Sequence, residues 1–209
     1  MRVVVTVLNV VLAVVYPLAI WWSLAHFSPR VVGLLVMALV LPAIAIRFRK
    51  AERGHLLAVL RIPLVIMSLL LLGVVFDDAR FMLLLPVLIN GALLATFAAS
   101  LKGEMPIIER FARMQEPELS APKQAHCRQV TVAWCVFFAL NGAAAGVLAL
   151  AAPLSWWAAY SGGIAYGLMG MMFVGEYVLR KYRFRDYGAG LHDRLLAKLF
   201  PAERAEGEA

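Results

Sequence analysis

Long apolar runs almost without charge constrain this chain more than any other feature. Six follow one another, at approximately Val3–Phe27, Val31–Ile46, Leu56–Phe76, Phe81–Leu101, Val130–Ala152 and Leu154–Leu179. The third contains Arg61, so its fully apolar part starts at Ile62. Hydrophobic residues make up 63% of the 209, and charged residues only 16%, against about 25% in ordinary soluble domains. A water-soluble core cannot hide that much apolar surface, whereas a bilayer can. A segment inside a bilayer must satisfy its backbone hydrogen bonds internally, so the runs must be helices or barrel strands. They are too long for the roughly ten-residue strands of a barrel and show no alternation. The expected fold is therefore all-α, a polytopic transmembrane bundle over residues 1–180 of about six spans, followed by a basic tail over 181–209. The second run is short, about 24 Å as a helix, and must draw in its flanks or thin the bilayer. The first run continues through Tyr16, Pro17, Trp21 and Trp22 without a cleavage motif, and is expected to be a retained span and not a secretion signal.

Charge sets the expected orientation. Of the 20 Lys and Arg, all but Arg30 and Arg80 fall at the N-terminus, between runs two and three (counting Arg61), between runs four and five, or in the tail. Basic residues favour the cytoplasmic side, which predicts cytoplasmic termini and a location in the bacterial inner membrane. The loops left for the outer side are tiny: Ser28–Arg30, Asp77–Arg80 and the neighbourhood of Pro153. Trp21, Trp22, Trp156, Trp157 and Tyr160 would lie at outer ends as headgroup-level anchors. The net charge of +7 sits in juxtamembrane segments, where anionic headgroups explain it better than nucleic acid does. Cys127 and Cys135 stand about 12 Å apart along one helix, too far for a disulfide within it.

Two stretches carry amphipathic helical patterns. In the segment 102–129, Ile107, Ile108, Phe111 and Met114 share a face beyond Pro106. In 191–200, Leu191, Leu195, Leu196, Leu199 and Phe200 form a stripe beside Arg194 and Lys198. Both patterns fit helices lying on a membrane surface, or docking onto a soluble partner. Gln115–Lys123, with two prolines, reads as a loop.

Three residues are candidate binding groups. Asn90 and Asn141 fall near the midplane of runs four and five, each opening the pattern Asn-Gly-Ala. They form either an interhelical amide hydrogen bond or a polar binding site. Small residues beside them (Gly91, Ala95 and Ala99; Gly142 and Gly146) would let helices approach closely, as would Gly163, Gly167 and Gly170 in run six. Glu176 is the one acidic residue inside a run. It is a candidate for handling a proton or substrate, or the partner of Arg180 one turn on. Asp77, Asp78 and Arg80 suggest a hairpin cap with a local ion pair. His26, His55, His126 and His192 are scattered, and no catalytic, cofactor or metal-ligand motif assembles. No catalytic residue, cofactor or metal is expected.

Several segments recur together in a known family: Tyr16-Pro17, Asp77–Phe81 leading to Pro86, the Pro-Ile-Ile-Glu-Arg-Phe of Pro106–Phe111, and Arg128–Gly142 with Trp134 and Phe137-Phe138. On these the chain resembles, over most of residues 10–180, an uncharacterised bacterial inner-membrane protein family similar to intracellular septation protein A. The resemblance implies a role in cell-envelope biogenesis, in a branch associated with gene clusters for fatty-acid-like or aryl-polyene lipids. It transfers no catalytic residues. The expected function is a non-enzymatic membrane scaffold or partner in envelope lipid assembly. The alternatives are a small transporter or lipid flippase, and thirdly an intramembrane enzyme. Expected partners are anionic phospholipids, cytoplasmic biosynthetic enzymes or membrane proteins, and a second copy of the chain.

Overall fold

A computed structural model describes residues 15–50, 56–188 and 190–201. Arg2, the start of the first apolar run, His55 and the tail over 202–209 lie outside the described residues, as do the side chains of Arg47, Arg49, Lys50, Arg53, Arg61, Leu191 and Arg194. Every regular element among the described residues is helical: α1 (15–26), α2 (Pro29–Lys50), α3 (Leu56–Phe76), α4 (Arg80–Leu83), α5 (Leu85–Lys102), α6 (Ile107–Arg113), α7 (Ala121–Ala151), α8 (Leu154–Ala159), α9 (Ala165–Phe184) and α10 (Leu191–Leu199). A π-helical turn, Tyr160–Ile164, joins α8 to α9.

Three helical stretches are long and apolar enough to cross a membrane: Arg80–Lys102, Ala121–Ala151 and Leu154–Phe184. The described apolar parts of α2 and α3, Pro29–Pro42 and Leu64–Phe76, are shorter. None of the most apolar stretch of Leu154–Phe184 is buried inside the chain. Leu39, Leu140, Val147 and Met171 likewise point outward. Helices that bury so little of their apolar surface against one another need an apolar surrounding.

The helix boundaries depart from the sequence expectation in one informative place. Gln115–Lys123 is not a loop throughout, because α7 starts at Ala121, well before the apolar run begins at Val130. Pro122 occupies the first turn, where its missing N–H has no helical acceptor to lose. His126, Cys127 and Arg128 are therefore helical, and their side chains have fixed directions.

The chain divides into two compact units, Met1–Leu93 with Phe138–Tyr166, and Leu94–Phe137 with Gly167–Ala209. In the first, Ile20, Val32, Leu70, Met82, Leu83 and Trp157 belong to one buried cluster. Trp157 is fully buried and donates its indole N–H to the Leu83 carbonyl at 3.0 Å. It is thus a core residue and not the interfacial anchor its position suggested; Trp21, Trp22 and Trp156 remain exposed. Tyr16 donates to the Met82 carbonyl at 3.2 Å. At the α3–α4 turn, Asp77 has φ 53°, a left-handed conformation that Asp tolerates better than most residues. Its carboxylate accepts from the Arg30 backbone N–H at 2.8 Å, while Asp78 accepts from the Arg80 N–H at 2.9 Å. The acids of this hairpin therefore cap backbone groups, and the expected ion pair with Arg80 is not formed.

Glycine matters most at the approach of α2 to α3. A β-carbon on Gly33 would stand 2.5 Å from a Val74 methyl carbon and 2.8 Å from Met82 Cε. Gly163, Gly167 and Gly170 meet nothing within 4 Å, so they do not serve close packing among the described residues. Thermal denaturation in detergent should separate the two kinds of site. Gly33→Val is expected to destabilise by about 1–3 kcal/mol through overpacking, and Gly163→Ala to be near neutral.

Candidate functional site

The two asparagines expected at mid-span meet. Asn141 donates its amide N–H to Asn90 Oδ1 at 3.0 Å, and Tyr160 donates its hydroxyl to Asn141 Oδ1 at 2.7 Å. Asn90 Nδ2 turns back to the Pro86 carbonyl at 2.8 Å. Both amides are buried. Gly142 permits the approach, since a β-carbon there would lie 3.1 Å from Asn90 Cβ, whereas Gly91 faces open space. The π-helical turn begins at Tyr160; such turns add one residue and re-aim the side chains around them. The oxygens and nitrogens of this triad largely satisfy one another, which is the chemistry of a helix–helix lock. One polar atom beside it has no partner, the buried Ser161 hydroxyl.

Glu176 lies elsewhere, in the second unit. The ion pair expected with Arg180 is not formed: neither side chain enters a salt bridge among the described residues. Both instead line a cavity of about 360 Å³ that α6, the first turns of α7, and α9 enclose. Trp134, Phe173 and Phe111 supply an apolar wall; Lys123, His126 and Glu116 stand with Glu176 and Arg180 on the polar side. Trp134 is buried and packs on Phe173 with ring centroids 4.8 Å apart. Lys123 is already engaged, by Glu116 at 2.8 Å and Asp186 at 3.1 Å.

His126 is the lining residue for which the sequence pattern held the weakest signal. It is 3% exposed. Arg183 approaches its Nδ1 at 3.4 Å while donating to Gln129 at 2.7 Å. A guanidinium can only donate, so Nδ1 is the acceptor of the imidazole and Nε2 carries the proton. That Nε2 is buried without a hydrogen-bond partner. The signal for it was tertiary: only the early start of α7 brings His126 onto the wall that α9 completes.

The rest of this unit is tied by a dense polar knot. Asp193 of α10 accepts from Lys181 Nζ at 2.9 Å, from the Gly188 N–H at 2.5 Å and from the Tyr177 hydroxyl. Lys181 also donates to the Asp186 carbonyl at 2.6 Å and lies over the rings of Tyr177 and Tyr187. At the other end, Glu109 takes two N–H groups from Arg113 at 2.9 and 2.7 Å. Ser100 accepts from the Ile107 N–H at 3.1 Å, fixing the start of α6. The amphipathic helices thus form, with Phe111, Met114, Leu195 and Leu199 exposed on them.

No family model, no curated protein and no solved structure matches the chain.

Two measurements test these arrangements. A double-mutant cycle on Asn90→Leu and Asn141→Leu should return a coupling of about 0.6–2 kcal/mol, the scale of an interhelical hydrogen bond in a membrane; zero coupling would deny the lock. The second concerns pH. The hydrogen bonds from Tyr177 and then Lys181 hold the Asp193 carboxyl down to about 2, below its ordinary 3.8. A carboxyl depressed by folding stabilises fully above its unfolded value, and that contribution is lost as pH falls through the folded one. Protection of the α10 amides, measured relative to the unfolded chain at each pH, should therefore hold down to about pH 4 and fall toward pH 2. Asp193→Asn should show the reduced protection already at neutral pH.

Proposed function

We propose that the chain is a six-span protein of the bacterial inner membrane, with cytoplasmic termini, that serves envelope or fatty-acid-like lipid biogenesis as a non-enzymatic membrane scaffold or partner. The observation that carries this reading is the ordering of charge in the Leu94–Phe137 and Gly167–Ala209 unit. Basic residues outside the spans favour the cytoplasmic side. In this unit they are not loose: Lys123, Lys181, Arg113 and Arg183 are each held by named side chains. Beside them stand exposed Phe111, Met114, Leu195 and Leu199. An ordered polar layer flanked by exposed apolar side chains suits the headgroup level of a membrane or the seat of a partner there. The envelope assignment rests on the resemblance to the septation protein A-like family.

One observation favours a second reading, a small transporter or lipid flippase: a cavity that joins charged and aromatic walls. The asparagine pair lends that reading little, because its amides are spent on each other.

Reporter fusions test the topology. Fusions after residues 30 and 80 should report the periplasm, and those near 52, 120 and 205 the cytoplasm; one clear reversal removes the six-span reading. For the role, the Asn90→Leu, Asn141→Leu double variant, if folded, should support normal envelope growth in a deletion strain. Arrest of lipid export by that folded variant would replace the scaffold with a transporter.

A further inference from the structure

We propose that the cavity formed by α6, α7 and α9 binds one lipid-borne phosphoethanolamine headgroup, its phosphate on Arg180 and His126 and its ammonium on Glu176. The inference rests on reading this unit as the cytoplasmic boundary of a membrane protein, and it names the ligand class for it.

Three polar side chains, Arg180, Glu176 and His126, line the cavity without an ion pair among the described residues. Among the described residues neither Arg180 nor Glu176 enters an ion pair, although they stand four residues apart on one helix. His126 lines the same wall with Nε2 unpartnered. A buried donor without an acceptor costs free energy, and an incoming oxygen recovers it. The guanidinium and the imidazole N–H both seek an anionic oxygen, and a phosphate offers several. A simple anion would leave Glu176 unpaired beside the new negative charge. A headgroup that also carries a primary ammonium answers all three groups at once. Residues four apart on a helix are about 6 Å apart at their β-carbons, a separation that the two ends of phosphoethanolamine can span. A choline headgroup lacks N–H donors for Glu176. A glycerol headgroup lacks the cation.

The remainder of the cavity says how the headgroup arrives. Trp134, Phe173 and Phe111 present rings that suit an acyl chain. The volume of about 360 Å³ lies at the low end for ligand pockets, about 300–1,000 Å³. That admits a headgroup and the first part of one chain, the rest remaining in the surrounding lipid. Lys123 does not compete for the phosphate, because Glu116 and Asp186 already hold it.

The test uses the full-length protein in phosphatidylcholine nanodiscs and reads Trp fluorescence quenching by a lysophosphatidylethanolamine with a brominated chain. Saturable quenching is expected, and Trp134→Phe should abolish its saturable part. The corresponding brominated lysophosphatidylglycerol and lysophosphatidylcholine should bind at least about tenfold more weakly. Glu176→Gln should erase the preference for ethanolamine over glycerol. Arg180→Gln and His126→Phe should each weaken both lipids about fivefold or more, with Arg180→Lys restoring part of the loss; thermal melts identify any variant that fails to fold. Equal binding of the three lipids, quenching that never saturates, or a preference unchanged in folded Glu176→Gln overturns the proposal. Free phosphoethanolamine should not displace the probe; displacement at equal potency would make this a site for a soluble metabolite and overturn the lipid assignment. Failure here would leave the reporter-fusion topology untouched, and a reversed topology would leave the quenching data standing, so the two claims fall separately.

Discussion

Each helix of this protein satisfies its own backbone, and that constraint governs what is left to hold the helices together. Where the surroundings are apolar, burying leucine against leucine gains little over leaving it outside. The described helices accordingly keep much of their apolar surface outward, as at Leu39, Leu140 and Met171. Specific packing then falls to a small number of contacts that an apolar surrounding cannot supply. In the first unit these are the indole of Trp157 on the Leu83 carbonyl, the Tyr16 hydroxyl on the Met82 carbonyl, and the Asn90–Asn141–Tyr160 chain. Tight steric matches such as Gly33 against Val74 and Met82 complete the set.

The second unit follows another rule. Its residues carry much of the chain's charge, and its helices are joined by groups that would otherwise prefer water. Glu109, Lys181 and Asp193 are all buried, and burying charge is tolerated only where each charge meets an opposite one or several hydrogen bonds. Asp193 receives three donors. Glu176 and Arg180, by contrast, form no ion pair among the described residues and line a cavity instead.

The all-helical class and the long apolar helices were legible in the sequence because charge-free length is a strong signal. The pairing of Asn90 with Asn141 was legible too, from equal depth in consecutive runs. Other features were not. Trp157 looked like an anchor because an indole near a helix end suits a headgroup layer or a core equally well; only its donor partner decides. The start of α7 was hidden by Pro122, a residue that signals a loop in mid-segment and is harmless in a first turn. With that start misplaced, His126 could not be assigned a wall to stand on. The Glu176–Arg180 spacing suggested an ion pair, yet helical spacing permits a contact without forcing it, and here both side chains line the cavity instead.

The Asp193 knot has a consequence for the order in which this part of the protein comes apart. Helix α10 has nine residues, too few to persist alone in water, so its helicity is borrowed from tertiary contacts: Asp193 on Tyr177 and Lys181, His192 against the Tyr177 ring, and the Tyr187 hydroxyl on the Phe200 carbonyl. Tension, a protease or a chaperone acting on this segment would meet those few contacts first. Release of the segment would free Tyr177 and Lys181 on α9, loosening that helix next. Disassembly of the unit is in this sense directional, beginning at the tail and ending at the long helices.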